Sequence, residues 1–307
     1  MTELKKIILI SFLFVLPFQI YAKKTRQKLQ PQNQLQIKPP EELAMLMSCY
    51  PEFHYTAAYE KETDDWKVEI ELLSDKPKIV LYWCNGKMLP PEELEQKDNY
   101  RQLLYAYPKE LADPSNFTQE EKQKLKEAGS IKNRRESTGS SMFFFDAIYS
   151  ANTRASLEQN IEKVTFLGKG TNVHKLIKEP LKKVEEQIFK LSETDDEVRD
   201  FVKKIKSADA YAWRLIDGTN RKSFHSYGIA VDIIPTRITG EIFWSWARDK
   251  NPEGWMLTPL KRRWLPPKKV VEIFEKEGFI WGGKWALWDN MHFEYHPELI
   301  KLNKITD

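Results

Sequence analysis

Ser223-Phe224-His225-Ser226-Tyr227-Gly228-Ile229-Ala230-Val231-Asp232-Ile233-Ile234 decides how this 307-residue chain is read. Gly228 permits a sharp turn, and the apolar run after it has the pattern of a buried strand. His225 then stands just before the strand and Asp232 within it. A second stretch, Trp288-Asp289-Asn290-Met291-His292-Phe293-Glu294-Tyr295, completes the set. Alternation from Met291 to Tyr295 puts His292 and Glu294 on one face and Met291, Phe293 and Tyr295 on the other. If the two strands are neighbours, His292 comes across to Asp232.

Two imidazoles and a carboxylate are the ligand types of zinc, and a catalytic zinc keeps one of its four positions open for water. His225, Asp232 and His292 are the expected ligands. Such an ion brings its water to a pKa of about 7, and a second acid must then carry the proton to a leaving group. Asp289, three residues before His292, is the expected acid. Taken singly these signals are weak. A lone histidine is more often a hydrogen-bonded structural residue than a ligand, and Asp289-Asn290 is also a turn-like pair.

Together the residues resemble a known family. Ser-x-His-x-x-Gly-x-Ala-x-Asp over residues 223–232, followed by Asp-x-x-His-Phe-Glu at Asp289 to Glu294, resembles the VanY-type zinc D-alanyl-D-alanine carboxypeptidases and the related L-alanyl-D-glutamate endopeptidases of peptidoglycan. The Trp281-Gly282-Gly283-Lys284-Trp285 run fits the same group. The resemblance covers residues 209–297 and weakens back to residue 141. It implies zinc on His225, Asp232 and His292, Asp289 as general base, and Arg214 facing the substrate carbonyl. For Arg214 the competing reading is an ordinary ion pair. The implied substrate is a peptidoglycan peptide containing D-amino acids, cleaved by either mode. The alternative is a non-catalytic zinc-containing module that binds cell wall or protein, since the resemblance extends to the Hedgehog signalling domain.

Before this region, Met1 to Ala22 has the form of a secretory signal peptide. Lys5 and Lys6 precede the apolar run Ile7 to Leu16, which is short for a membrane span. A periplasmic or secreted protein without a stable membrane span is expected. Net charge is +3 and basic clusters are scattered, which is no nucleic-acid signature. Cys49 and Cys84 are the two cysteines, so a cysteine-rich zinc site is excluded. In an oxidising compartment they could pair.

The expected organisation is α+β: a small antiparallel sheet carrying the zinc site, flanked by helices, with an N-terminal α+β extension. Residues 23–40 form a Lys/Gln/Pro-rich leader, 41–140 a region of unknown role, and 141–303 the catalytic domain. Within 41–140, a helix follows Pro40, strands cover Trp66 to Leu72 and Lys78 to Trp83, and Asn85-Gly86 turns the chain. Thr118 to Glu121 is a capping box for a helix ending near Gly129. Lys132 to Ser141 is expected to be a connecting loop. Helical spacing is read over 154–164 and 172–192, with Pro180 kinking or restarting the second helix, and over Glu197 to Ile205. Ala210 to Ile216 is expected to be a strand, and Pro266-Pro267 to start a helix ending near Gly278. His174 and His296 are expected outside the metal shell. Eight of the ten tryptophans lie at or after Trp213, some of them candidates for cleft walls beside core packing. Lys261, Arg262 and Arg263 are candidates to attract substrate carboxylates.

Overall fold

A computed structural model of the chain describes residues 38–72, 77–216, 219 and 221–306. The expected signal peptide and most of the leader lie outside the described residues. The chain begins with α1 (Glu41–Ser48) and an antiparallel meander, β1 (His54–Glu60), β2 (Asp65–Glu71), β3 (Ile79–Cys84) and β4 (Lys87–Leu89). Asn85 and Gly86 both take positive φ between β3 and β4, as a tight hairpin requires. A two-residue parallel pair joins β5 (Tyr100–Arg101) to β6 (Gly139–Ser140). Between them stand α2 (Gln119–Ala128), with the expected Thr118 capping box, and α3 (Ile131–Glu136). The expected loop over Lys132 to Glu136 is therefore a helix. Ser130 caps it, its Oγ accepting from Asn133 N at 3.2 Å, although the charged segment has no apolar period to betray it.

Next come α4 (Phe143–Ile148), α5 (Arg154–Glu158) and the hairpin β7 (Ile161–Phe166) and β8 (Lys169–His174). The helical readings over 154–164 and 172–192 both ran into this hairpin. Its turn is Leu167-Gly168, each at positive φ, with Leu167 N held by Glu185 Oε1 at 2.6 Å. A leucine in that conformation is uncommon, so no turn signal stood in the sequence. Helix α6 (Lys178–Ser192) accepts Pro180 in its first turn and buries Leu181, Val184 and Ile188. Helix α7 (Asp196–Lys203) stops before Ile205, which is buried and opens β9 (Ile205–Asp209).

The sheet that matters for the site adds β10 (Ala230–Pro235), β11 (Phe279–Trp281) and β12 (His292–Tyr295), in the antiparallel order β11-β12-β10-β9. Three helices complete the described chain: α8 (Trp244–Lys250), α9 (Lys268–Lys276) and α10 (Pro297–Leu302). Helix α9 follows Pro267 and ends before Gly278 at positive φ, as expected. Phe274 of α9 stacks on Phe293 of β12 at 3.9 Å between ring centroids, fixing the helix to the back of the sheet. The mixed helices and small antiparallel sheets are the expected α+β class.

One apolar core runs through the described chain. It joins Leu43, Leu46, Tyr50, Val68 and Tyr107 to Phe144, Tyr149, Val231, Phe293 and Leu299. A smaller cluster packs Trp244, Trp255 and Trp288 with Leu125 and Phe117. Those three tryptophans are core, whereas Trp246 is exposed. Cys49 and Cys84 are both free thiols, so the anticipated possibility of pairing is not realised. No described helix is long and apolar enough to cross a membrane.

Candidate metal centre

Four backbone devices bring the sequence motifs together. Residues 224–227 form one 3-10 turn, started by Ser223, whose Oγ accepts from His225 N at 3.3 Å. Gly228 ends it in the left-handed region, at φ 69°. An added Cβ there would lie 2.6 Å from Ile161 Cδ1 and 2.9 Å from the backbone N of His174, so glycine is required twice over. Antiparallel pairing then sets Asp232 directly opposite His292. Finally, Asp289 N donates to Gly282 O at 3.0 Å, and a Cβ on Gly282 would meet Asp289 O at 2.7 Å. The Trp-Gly-Gly run thus lets two backbones close on each other and sets Asp289 beside the sheet.

The expected strand over Ala210 to Ile216 is a correction: β9 ends at Asp209, and the chain then runs as a loop along the 3-10 turn. Ser226 Oγ accepts from Arg214 N at 2.8 Å and donates to Arg214 O at 2.6 Å, and Ala212 N donates to His225 O at 3.1 Å. These bonds take the place of a strand partner. They also leave Ala210 O free to receive His225 Nδ1 at 2.5 Å.

The structure brings His225, Asp232 and His292 to one point. His225 Nε2 lies 3.2 Å from His292 Nδ1 and 3.2 Å from Asp232 Oδ2, and His292 Nδ1 lies 2.7 Å from Asp232 Oδ1. Each ring's other nitrogen is committed elsewhere. His225 Nδ1 donates to Ala210 O, and His292 Nε2 donates to Glu294 Oε1 at 2.7 Å. With neutral rings, those donations turn both lone pairs toward the Asp232 carboxylate. Two lone pairs and an anion facing one point repel unless a cation lies between them. Atoms bound at about 2.0–2.1 Å to a tetrahedral zinc lie about 3.3 Å apart, close to two of the three separations here. The donor set therefore fits the ion. Electrostatics agree. Burial lowers the basicity of His292, but Glu294 and Asp232 outweigh it and raise its pKa well above an ordinary imidazole. The position favours positive charge.

Asp289 lies next to this cluster and is differently placed. Its Oδ1 is sealed from solvent and has no hydrogen-bond partner. Burial first, with Asp232 and Glu294 adding to it, pushes its pKa up to about 7, against the pull of His292. An acid held near neutrality can both take and give a proton. Arg214 is exposed, and its guanidinium forms no hydrogen bond or ion pair among the described residues. The ordinary ion pair is thus absent there. Trp285 tilts over His292 at 5.5 Å between centroids.

The remaining candidates sort plainly. His174 is buried away from the cluster, its Nδ1 accepting from Leu176 N at 3.2 Å. His296 stands behind Glu294, its Nδ1 donating to Glu298 Oε1 at 2.7 Å. Lys261 and Arg262 are exposed, but Arg263 is not available to a substrate. It is buried with Nε donating to Thr258 O at 3.0 Å and its guanidinium 4.3 Å above the Trp288 ring. Burial lowers its pKa to about 10. Glu298 and the Ala210 carbonyl were not singled out from the sequence. A signal for Glu298 existed: His292, Glu294, His296 and Glu298 recur at every second position. A backbone carbonyl leaves no such signal.

Metal-capable side chains on a 3-10 turn and two paired antiparallel strands, with a spare acid beside them, thus form one cluster within an α+β fold. Residues 217–295, which hold all of them except Arg214, match a family model described as D-alanyl-D-alanine carboxypeptidase. Both this match and the next one support the resemblance of that segment to the VanY-type peptidoglycan peptidases. Over 77 residues the chain is 38% identical to the peptidoglycan L-alanyl-D-glutamate endopeptidase CwlK of Bacillus subtilis (strain 168), covering 25% of this chain and 41% of that protein. The chain thus spans less than half the length of that relative. Residues 42–105 match a model described as a domain of unknown function. No solved structure matches the chain.

Proposed function

We propose that this chain is a zinc-dependent peptidase that cleaves an amide bond in peptidoglycan stem peptides containing D-amino acids. The observation that carries this reading is the convergence of His225 Nε2, His292 Nδ1 and the Asp232 carboxylate beside Asp289, whose Oδ1 has no hydrogen-bond partner. The family match and the similarity to a peptidoglycan endopeptidase support the substrate class.

His225, Asp232 and His292 would hold the ion. Bound there, zinc supplies a Lewis acid that polarises a carbonyl and makes water acidic near neutral pH. Ala210 O and Glu294 hold the two rings in the tautomers that present their lone pairs. Asp289 accepts the proton of the attacking water and delivers it to the departing amine. Arg214, anchored through its backbone by Ser226, offers its guanidinium to the developing oxyanion. Ser223 is spent on the His225 turn and is not a nucleophile. A non-catalytic zinc module would have no use for an acid with one sealed oxygen left unpaired. Export by a signal peptide over residues 1–22 would bring the protein to this substrate.

Incubation of the zinc-loaded protein with purified muropeptides, followed by mass spectrometry, tests the reading. Loss of a terminal D-alanine marks a D,D-carboxypeptidase, and scission between L-alanine and D-glutamate marks an endopeptidase. Unchanged masses across the muropeptide set would overturn the peptidase assignment.

A further inference from the structure

A line of buried side chains runs from His292 back into the N-terminal segment. His292 Nε2 donates to Glu294 Oε1 at 2.7 Å. The other oxygen of that carboxylate, Oε2, lies 3.4 Å from His296 Nε2, an ion-pair distance without a formed hydrogen bond. His296 Nδ1 donates to Glu298 Oε1 at 2.7 Å, and Glu298 Oε2 accepts from Tyr50 Oη at 2.6 Å. Each of the five residues is at most 7% exposed, so water does not compete along the line.

The line has little freedom to rearrange. Phe224 and Phe145 meet the His296 ring edge-on at 4.5 and 5.4 Å between centroids, which fixes its plane. Glu294 is stretched between two imidazoles and must keep both oxygens aligned. Tyr50 in turn is held by Phe144 and Tyr149 at 5.5 and 6.4 Å. Helix α1, just before Tyr50, and α10, which carries Glu298, are further tied by Lys301 Nζ donating to Ser48 Oγ at 2.9 Å.

We propose that Tyr50 is a positioning residue for the metal centre, setting the His292 ring through Glu298, His296 and Glu294. This rests on the reading of His292 as a ligand. It gives the N-terminal segment, matched as a domain of unknown function, a definite task toward the site. The phenol hydroxyl is the needed part. Glu298 Oε2 has no other hydrogen-bond donor among the described residues. Without the hydroxyl it is a buried, unsatisfied carboxylate oxygen. The acid can then recover a partner by turning toward His296, which draws that ring from Glu294 and loosens the grip of Glu294 on His292.

Tyr50→Phe deletes the hydroxyl and keeps the ring. Tyr100→Phe is the control: it removes a phenol that donates to Glu93 Oε2 at 2.9 Å, in the same segment but off this line. Zinc affinity is read by competition with a chromophoric chelator, and ligand geometry by the d–d absorption of the cobalt-loaded protein. Partners that orient a metal-bound histidine are worth about 10–100-fold in affinity, and Tyr50 acts from further back. Tyr50→Phe is expected to weaken zinc binding about three- to tenfold and to move the cobalt bands, while Tyr100→Phe leaves both as in the parent. Glu298→Gln, which replaces one of the two acceptor oxygens on the same line by an amide donor, is expected to follow Tyr50→Phe and serves if the tyrosine variant does not fold. A parent that binds zinc, with Tyr50→Phe and Glu298→Gln binding equally well and showing unmoved bands, overturns this inference and leaves the peptidase reading standing. A parent that binds no zinc overturns both.

Discussion

Replacing Gly228 by alanine puts a methyl group between the two halves of the first motif. The residue sits at φ 69°, where an L side chain is strained by about 1–2 kcal/mol. Its new Cβ would stand 2.6 Å from Ile161 Cδ1 and 2.9 Å from His174 N. The isoleucine tip can swing aside. The His174 backbone cannot move freely, because its N–H already donates to Gly228 O at 2.8 Å and its strand is locked in the β7–β8 hairpin. Forcing a methyl into such a packed contact costs about 1–3 kcal/mol, so the sum is about 2–5 kcal/mol. With a urea dependence of about 3 kcal/mol per molar, the unfolding midpoint falls by roughly 1 M. Gly228→Asn separates the two causes, since asparagine tolerates the left-handed region but carries the same Cβ. Midpoints measured by urea titration should rank glycine, then asparagine, then alanine. An alanine variant with the parent's midpoint would refute the reasoning. An asparagine variant equal to alanine would show that the contact, not the backbone angle, dominates.

Asp289→Asn is expected to lower the rate of muropeptide cleavage by about 10²–10⁴ while zinc content, measured by atomic absorption, stays that of the parent; retained activity would remove Asp289 from the mechanism. Chelation should abolish cleavage and zinc should restore it, and zinc at about 100 times its Kd should add about 2.7 kcal/mol to stability in urea; an unshifted midpoint would contradict a folded-state site. His174 gives a pH signature away from the centre. Burial, with Lys175 beside it, lowers its pKa from 6.5 to about 4, so the unfolded chain takes up its proton first as pH falls. This stability is fully present above pH 6.5 and is lost progressively down to about 4, at most about 3 kcal/mol. His174→Gln should show a shallower decline of urea midpoint over that window, and parallel curves would count against it.

The centre was legible because its parts are local or periodic. Gly228 announces the turn, Ile229 to Ile234 the strand, and alternation from Met291 the face that His292 shares with Glu294. Their register, Asp232 opposite His292, follows once those strands are neighbours. What escaped notice depends on tertiary demand. Leu167 adopts a glycine-like angle that its type disfavours, so the β7–β8 hairpin looked like helix. Ala210 to Ile216 has strand composition, yet Ser226 claims the backbone of Arg214 and denies it a sheet. Arg263 looked like surface charge, but Thr258 O and the Trp288 face draw it inward. Tyr50 and Glu298 are 248 positions apart, and nothing in either stretch alone points to the other.

The common core has a practical consequence for anyone handling this protein. Tyr107 reaches across to donate to Glu275 Oε1 at 2.5 Å and receives Trp281 N at 2.9 Å, while Asn303 Nδ2 donates to Tyr105 O at 3.2 Å. A shortened clone starting at residue 141 would therefore bare the flanks of Phe144, Tyr149 and Leu299 and strand Glu275 and Glu298 without their phenols. Such a fragment should precipitate on expression, so crystallographers and enzymologists are better served by cutting no later than Pro40.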